Sequence, residues 1–421
     1  MNDASPTVEQ ASDRVAPQIG MPQSGWGLKA MLAALMALTS LSTDIYLPAM
    51  PTMQRELHGD AELTITGFLI GFALAQLVWG PVSDRIGRKR PLLIGLALFV
   101  VGSIGCALSQ SIAAVVFWRV FQAFGACTGP MLARAMVRDL YERRQAAETL
   151  STLTIVMALA PIGGPLLGGQ ILRLGDWHDV FWLLAVVGSL MLWTLRRLPE
   201  THTPSRRATT PARTALSDYR TLLAHGPFMR NTLCVAFFYV GAYAFIAGSP
   251  RVYIEHFHID AQHYGWLFGV NIVGVMALSA VNRRLVRRFS LGALLRVSTG
   301  IAAAAMLAGL GLGLGGDGGL LAVAAPVFVF FTMNGIIAAS ATAAALDGVP
   351  RLAGSAAALI GALQYGSGIV SSLLLAALAD GSPRAMVGVM TVFALAAAAM
   401  AFMSREDRST APSARLDAPR P

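Results

Sequence analysis

The sequence predicts an all-α integral membrane protein with twelve transmembrane helices in two six-helix halves. Composition, the spacing of apolar runs and the placement of arginines carry that expectation. Of 421 residues, 55% are hydrophobic and 13% charged, with a mean hydropathy of +0.59. A soluble fold of this length keeps its polar residues outside and cannot hide so much apolar surface. The net charge of +9 would suit nucleic acid, but the cations fall in short clusters between apolar runs. That is the pattern of membrane topology, and no nucleic-acid partner is expected.

A spanning helix needs about 20 mainly apolar residues. On that criterion the first half holds spans at 27–50, 63–83, 91–108, 112–137, 150–172 and 180–195. The second half holds 229–250, 264–280, 291–314, 320–345, 353–378 and 385–403, the ninth and tenth divided only by Gly315-Gly-Asp-Gly-Gly319. The loop after the second span carries Arg85, Arg88, Lys89 and Arg90, and seven arginines lie between 196 and 230. Opposite loops carry only Arg55, Arg173, Arg251 and Arg384, which puts both termini in the cytoplasm. The expected organisation is a tail (1–26), a first bundle (27–195), a linker (196–228), a second bundle (229–403) and a tail (404–421). The linker begins Pro-, Thr- and Arg-rich and reads as disordered. At 215–224 it places Leu216, Tyr219, Leu222 and Leu223 at helical spacing, as a helix on the membrane surface would. The first 25 residues are polar and suggest no cleavable signal. Cys106, Cys127 and Cys234 fall in apolar runs without metal-type spacing and read as packing residues.

The segment Trp79-Gly-Pro-Val-Ser-Asp-Arg-Ile-Gly-Arg-Lys-Arg-Pro91 joins two apolar runs with one carboxylate, four cations and two glycines. A plain positive-inside hairpin explains the charges but not Gly80, Asp84 and Gly87 together. The glycines allow a tight turn and close helix approach. Charges inside spans are functional candidates because burying them in hydrocarbon is costly. Asp44 lies in the first span and Arg119 in the fourth, each roughly 10 Å below the outer surface on the expected boundaries. They are placed to meet across adjacent helices. Burial favours a neutral carboxyl and a nearby guanidinium favours the anion, so moving one against the other would load and release a proton. The alternatives are an Asp44 that binds backbone amides near Pro48 and an Arg119 that clamps carbonyls. Gln122 shares the Arg119 face and is either a cavity residue or polar glue. In the fifth span, Ala160-Pro-Ile-Gly-Gly-Pro-Leu-Leu-Gly-Gly169 concentrates helix breakers and small residues, a bend or a close seal.

These motifs carry a resemblance. Gly80-x-x-x-Asp84-Arg-x-Gly-Arg-Lys89 resembles the signature loop of the major facilitator superfamily, and Arg119-Val-Phe-Gln-Ala-Phe-Gly125 its fourth-span motif, whose arginine is linked to proton transfer. Gly164-Pro-Leu-Leu-Gly-Gly169 resembles the fifth-span motif of its antiporters, with Ala160 where a glycine is usual. Thr43-Asp-Ile-Tyr-Leu-Pro-Ala-Met-Pro51 and Arg138-Asp139 resemble the bicyclomycin-resistance (Bcr/CflA-type) branch of drug/proton antiporters. Met36 stands where some related exporters carry a second acid, so the resemblance does not extend to a second titrating site or to divalent-cation export. The resemblance implies the major facilitator fold and a proton-coupled multidrug efflux antiporter for bicyclomycin- or chloramphenicol-type drugs, working by alternating access in a bacterial inner membrane. Asp44 and Arg119 would couple protons. Gly164, Pro165, Gly168 and Gly169 would form the antiporter motif. Gly80, Asp84, Arg85, Gly87, Arg88 and Asp139 would form a cytoplasmic latch, with Asp84 facing the start of the eleventh span and Arg88 paired with Asp139. Candidate cavity residues are Tyr46, Gln122, Tyr239, Tyr243, Asn271, Asn334 and Gln364.

A narrow exporter of sugars, nucleosides or other metabolites is the nearest alternative, followed by a proton-coupled uptake symporter. No nucleophile–base pair supports an enzyme, and no Walker-type loop supports ATP as the energy source. No cofactor or metal is expected. The expected partners are small-molecule drugs or metabolites, protons and the lipid bilayer, with the chain a monomer.

Overall fold

A computed structural model describes residues 26–403 except 142, 197, 199, 202–212, 315–318 and 379–381. The expected tails, the Pro- and Thr-rich part of the linker and most of the 315–319 loop lie outside the described residues. Among the described residues, twelve helices are long and apolar enough to cross a membrane: Gly27–Leu57, Glu62–Ile86, Lys89–Ala107, Ile112–Leu140, Glu148–Leu174, Trp177–Leu195, Gly226–His256, Ala261–Leu285, Leu291–Leu312, Leu320–Asp347, Ala353–Leu378 and Arg384–Met403. Helices satisfy every backbone group internally, which a lipid environment demands. Side chains take over at the ends. Ser111 caps the fourth span by accepting from the Ala114 amide, and Asp176 and Asp179 form a capping box at the start of the sixth.

The packing repeats. The third span packs on the fourth and sixth, and the ninth on the tenth and twelfth. The second packs on the fourth as the eighth does on the tenth, and the first on the fifth as the seventh does on the eleventh. Adding six to each number converts one half into the other, so the duplication is plainer in packing than in sequence. Across the halves the second span lies against the eleventh and the fifth against the eighth. We call the side bearing the 79–91 loop inner and the opposite side outer.

Several boundaries differ from expectation. The first span continues to Leu57 instead of ending near 50, so Asp44 lies about 20 Å from its outer end along the helix, not 10 Å. The fourth span runs to Leu140 and carries Arg138 and Asp139 on its last turns. The seventh runs to His256 through a π-helical turn at Arg251–His256, which places Arg251 on a helix, not in a loop. In each case polar residues at the ends lower the mean hydropathy while the backbone keeps its helical hydrogen bonds. The linker helix spans Arg213–Ala224, starting just before the expected 215–224.

Candidate functional site

The site begins with a proline. Pro48 has no amide hydrogen, and its ring crowds the carbonyl four residues back, that of Asp44. The first α-helix therefore ends at Asp44, passes through a 3-10 turn at Leu47–Ala49 and restarts at Met50. A helix end leaves its last carbonyls without intrahelical partners. Arg119 takes one of them, donating from Nη1 to the Ser42 carbonyl at 2.9 Å.

Arg119 is fully buried. Its Nη1 also donates to Gln122 Oε1 at 2.7 Å, and Gln122 Nε2 donates to Ser103 Oγ at 2.8 Å. The guanidinium carbon lies 4.2 Å from the Tyr46 ring centroid, 4.5 Å from Phe68 and 5.9 Å from Phe181. Aromatic faces thus surround the cation with their negative quadrupoles. The Tyr46 hydroxyl is held 3.1 Å from Thr64 Oγ1. Among the described residues, Nε and Nη2 of Arg119 find no hydrogen-bond acceptor.

Asp44 is 6% exposed, and no hydrogen bond or ion pair to the described residues engages its carboxylate. The expected meeting of Asp44 with Arg119 is therefore not an ion pair in this conformation. Nη1 of the guanidinium donates instead to the carbonyl two residues earlier and to Gln122. Tyr46 and Gln122, expected in the cavity, are both fully buried and pack as parts of the Arg119 cage.

The fifth-span motif packs directly on this break. A methyl group at Gly164 would lie 3.2 Å from Asp44 Cβ, and one at Gly168 would run into the Ile45 carbonyl. Pro165, between these two glycines, is buried within the helix. Gly169 faces the backbone of Ala261 and Gln262 at the start of the eighth span. One short stretch therefore touches both the Asp44 break and the opposite half.

On the inner side, Arg88 Nη1 donates to Asp84 Oδ1 at 2.6 Å and to Ser83 Oγ at 2.9 Å, while Nε donates to Asp139 Oδ2 at 3.1 Å. Burial works against the Arg88 charge, but its hydrogen bonds to Asp84 and Asp139 outweigh it and raise the pKa above the ordinary guanidinium value. Gly87 adopts φ +96°, a conformation that favours glycine. The Glu200 carboxylate fills the space beside it, accepting from the amides of Arg88 (2.8 Å) and Lys89 (3.2 Å). Arg85 is half-buried. Two expectations change. Among the described residues nothing lies within 4 Å of a methyl group at Gly80, so close approach to them does not require glycine there. Asp84 has a side chain 53% exposed and bonds Arg88 on its own loop, while Ser355 near the start of the eleventh span donates to Asp218 of the linker helix at 3.1 Å.

In the second half an aromatic series crosses between the halves. Phe72 of the second span lies 4.1 Å, centroid to centroid, from Tyr365 of the eleventh. Tyr365 lies 6.4 Å from Tyr243, which lies 6.1 Å from Tyr239. Tyr243 is buried, and Tyr239, Asn334 and Gln364 are half-buried. Asn271 is buried and donates to the Leu267 carbonyl of its own helix at 3.0 Å; its Oδ1 has no partner among the described residues.

Comparison with known proteins decides the family. Residues 32–372 match the model of the Major Facilitator Superfamily. The chain belongs to that superfamily. It is 33% identical over 355 residues to an uncharacterized MFS-type transporter, YdgK, of Bacillus subtilis, covering 82% of this chain and 88% of the relative. It is 29% identical to the bicyclomycin resistance protein homolog of Haemophilus influenzae (82% and 88% covered) and to multidrug resistance protein D of Escherichia coli (83% and 89%). These relatives place it in the Bcr/CflA-type branch. Among solved structures it resembles a peptide transporter, POT (TM-score 0.75, 14% identity, 91% and 95% covered), and the xylose transporter XylE of E. coli (0.71, 14%, 89% and 96%). At that identity the likeness shows the fold alone.

The chain is thus a major facilitator transporter, not an enzyme. Sequence reasoning missed three of its notable side chains: Glu200, Tyr365 and Phe72. Glu200 had a signal, since it is an acid just past a span in an arginine-rich stretch. Tyr365 and Phe72 had none, because an aromatic residue in a span reads as lipid-facing or core until its neighbours are known.

Proposed function

We propose that this transporter is a proton-coupled multidrug efflux antiporter of the bacterial inner membrane, with both termini cytoplasmic, that exports bicyclomycin- or chloramphenicol-type drugs. One observation carries the reading. Asp44 is a carboxylate held unpaired at a helix break, next to a buried arginine and pressed by the fifth-span glycines that also touch the other half. A group so placed changes its surroundings whenever the halves rock, which is what coupling a proton to alternating access requires. Arg119 is the fixed charge beside it, and Gln122 and Tyr46 keep that charge in position. Gly164, Pro165, Gly168 and Gly169 transmit movement between Asp44 and the eighth span. Gly87, Arg88, Asp84 and Asp139 shape the inner latch with Arg85 beside them. Tyr239, Tyr243, Asn334 and Gln364 present aromatic faces and amides to a drug, with Asn271 behind them. Aromatic surfaces grip varied apolar molecules without a fixed hydrogen-bond pattern.

Cells lacking their own exporters and expressing the chain are expected to accumulate less chloramphenicol or cationic dye than control cells. A protonophore is expected to erase the difference. Accumulation above control would indicate uptake, and export that survives the protonophore would remove proton coupling.

A further inference from the structure

On the outer side, Glu62 begins the second span with its side chain 4% exposed. Arg251, on the π-helical turn that ends the seventh span, faces it with Nη1 3.5 Å from Glu62 Oε1. The same arginine lies 3.8 Å from Glu255 Oε2, one turn further on. Met50 and Pro51 of the first span and Ala247 and Pro250 of the seventh close around the pair. It thus joins the two halves where three spans converge.

We propose that Glu62 and Arg251 form an outer latch that holds the two halves together when the transporter is closed to the outside. The pair is a contact of charge, without a hydrogen bond: among the described residues Arg251 Nη1 donates to nothing, and Glu62 Oε2 is buried without a partner. A carboxylate buried in this way stays charged only with a cation beside it. When the outer ends separate, water reaches Glu62 and it no longer depends on Arg251. The pair therefore acts on one conformation only, and an interaction specific to one state is what biases an equilibrium between two. The π-helical turn serves the same end, since it sets Arg251 and Glu255 on one face and carries the arginine to the seam. Glu255 is 35% exposed and receives the guanidinium when Glu62 lets go.

The physics gives the two partners unequal weight. Arg251→Gln strands a buried carboxylate in the closed state and drives the outer side open. Glu62→Gln removes the group that needs a partner, so adding it to Arg251→Gln restores closure. The latch rests on the alternating-access reading above, but its test reads conformation and needs neither drug nor proton gradient. Failure of the latch is thus separate from failure of efflux.

The full chain, with its three cysteines replaced by alanine and Ala247→Cys added as a reporter, would be reconstituted in lipid vesicles. Its labelling by a membrane-impermeant maleimide applied to the outer side would be followed. Arg251→Gln is expected to raise the labelling rate on the order of tenfold. The double variant Glu62→Gln/Arg251→Gln and the exchanged pair Glu62→Arg/Arg251→Glu are both expected to return it near the parent rate. An unchanged rate in Arg251→Gln, or a double variant that labels as fast as the single, would overturn the latch. Should Arg251→Gln fail to fold, the exchanged pair decides alone: labelling at the parent rate supports the latch, and faster labelling overturns it.

Discussion

Arg119→Met is expected to abolish drug-dependent transport while leaving the fold close to its original stability. The side chain is buried with two donor groups unpartnered, and a buried charge in that condition costs free energy. Methionine removes the cost and fills much of the volume among Tyr46, Phe68 and Phe181. Against that gain, the Ser42 carbonyl and Gln122 Oε1 lose their donor, at about 1–3 kcal/mol each. The two effects oppose one another, so the net change in stability should stay within about 2 kcal/mol. Transport has no such compensation, because the fixed positive charge next to Asp44 is gone. Arg119→Lys keeps a charge but not the flat guanidinium that stacks among Tyr46, Phe68 and Phe181, and should also be inactive. Thermal unfolding in detergent beside transport in vesicles separates the outcomes. A sharp fall in stability with transport retained by the folded fraction would make Arg119 a structural clamp.

The second large effect concerns the fifth span, where three glycines give three different results. Among the described residues a methyl group at Gly163 meets nothing within 4 Å, one at Gly164 comes 3.2 Å from Asp44 Cβ, and one at Gly168 runs into the Ile45 carbonyl. A backbone carbonyl cannot turn aside as a side chain does. Gly168→Ala must therefore push the first and fifth spans apart, with an overpacking cost of about 1–3 kcal/mol. It also displaces the chain that holds Asp44. Transport should be unaffected in Gly163→Ala, reduced in Gly164→Ala and lost in Gly168→Ala. Equal activity in all three variants would show that the motif does not act through its contact with the first span.

Much of this could be read in the chain, for reasons that apply residue by residue. Pro48 marks the break after Asp44, because a proline's effect falls four residues back along the same chain, although hydropathy alone runs the first span unbroken to 50. Hydropathy finds each span, since lipid imposes one requirement on every residue within it. Spans overshoot their expected ends where polar residues such as Arg251 or Asp139 ride on helices that outlast the apolar run. The Arg119 cage was hidden because Phe68 and Phe181 come from the second and sixth spans, and hydropathy does not say which helices are neighbours. The Glu62–Arg251 contact was hidden for the same reason: each residue alone looks like an ordinary charge at the membrane edge.

The central claim is that Asp44 carries the proton. In everted vesicles holding an acid interior, chloramphenicol, bicyclomycin and cationic dyes would be added in turn while internal pH is recorded for the parent and for Asp44→Asn. Proton release triggered by drug in the parent and missing in Asp44→Asn is the expected result. Release of equal size in both would contradict it and take Asp44 out of the transport cycle.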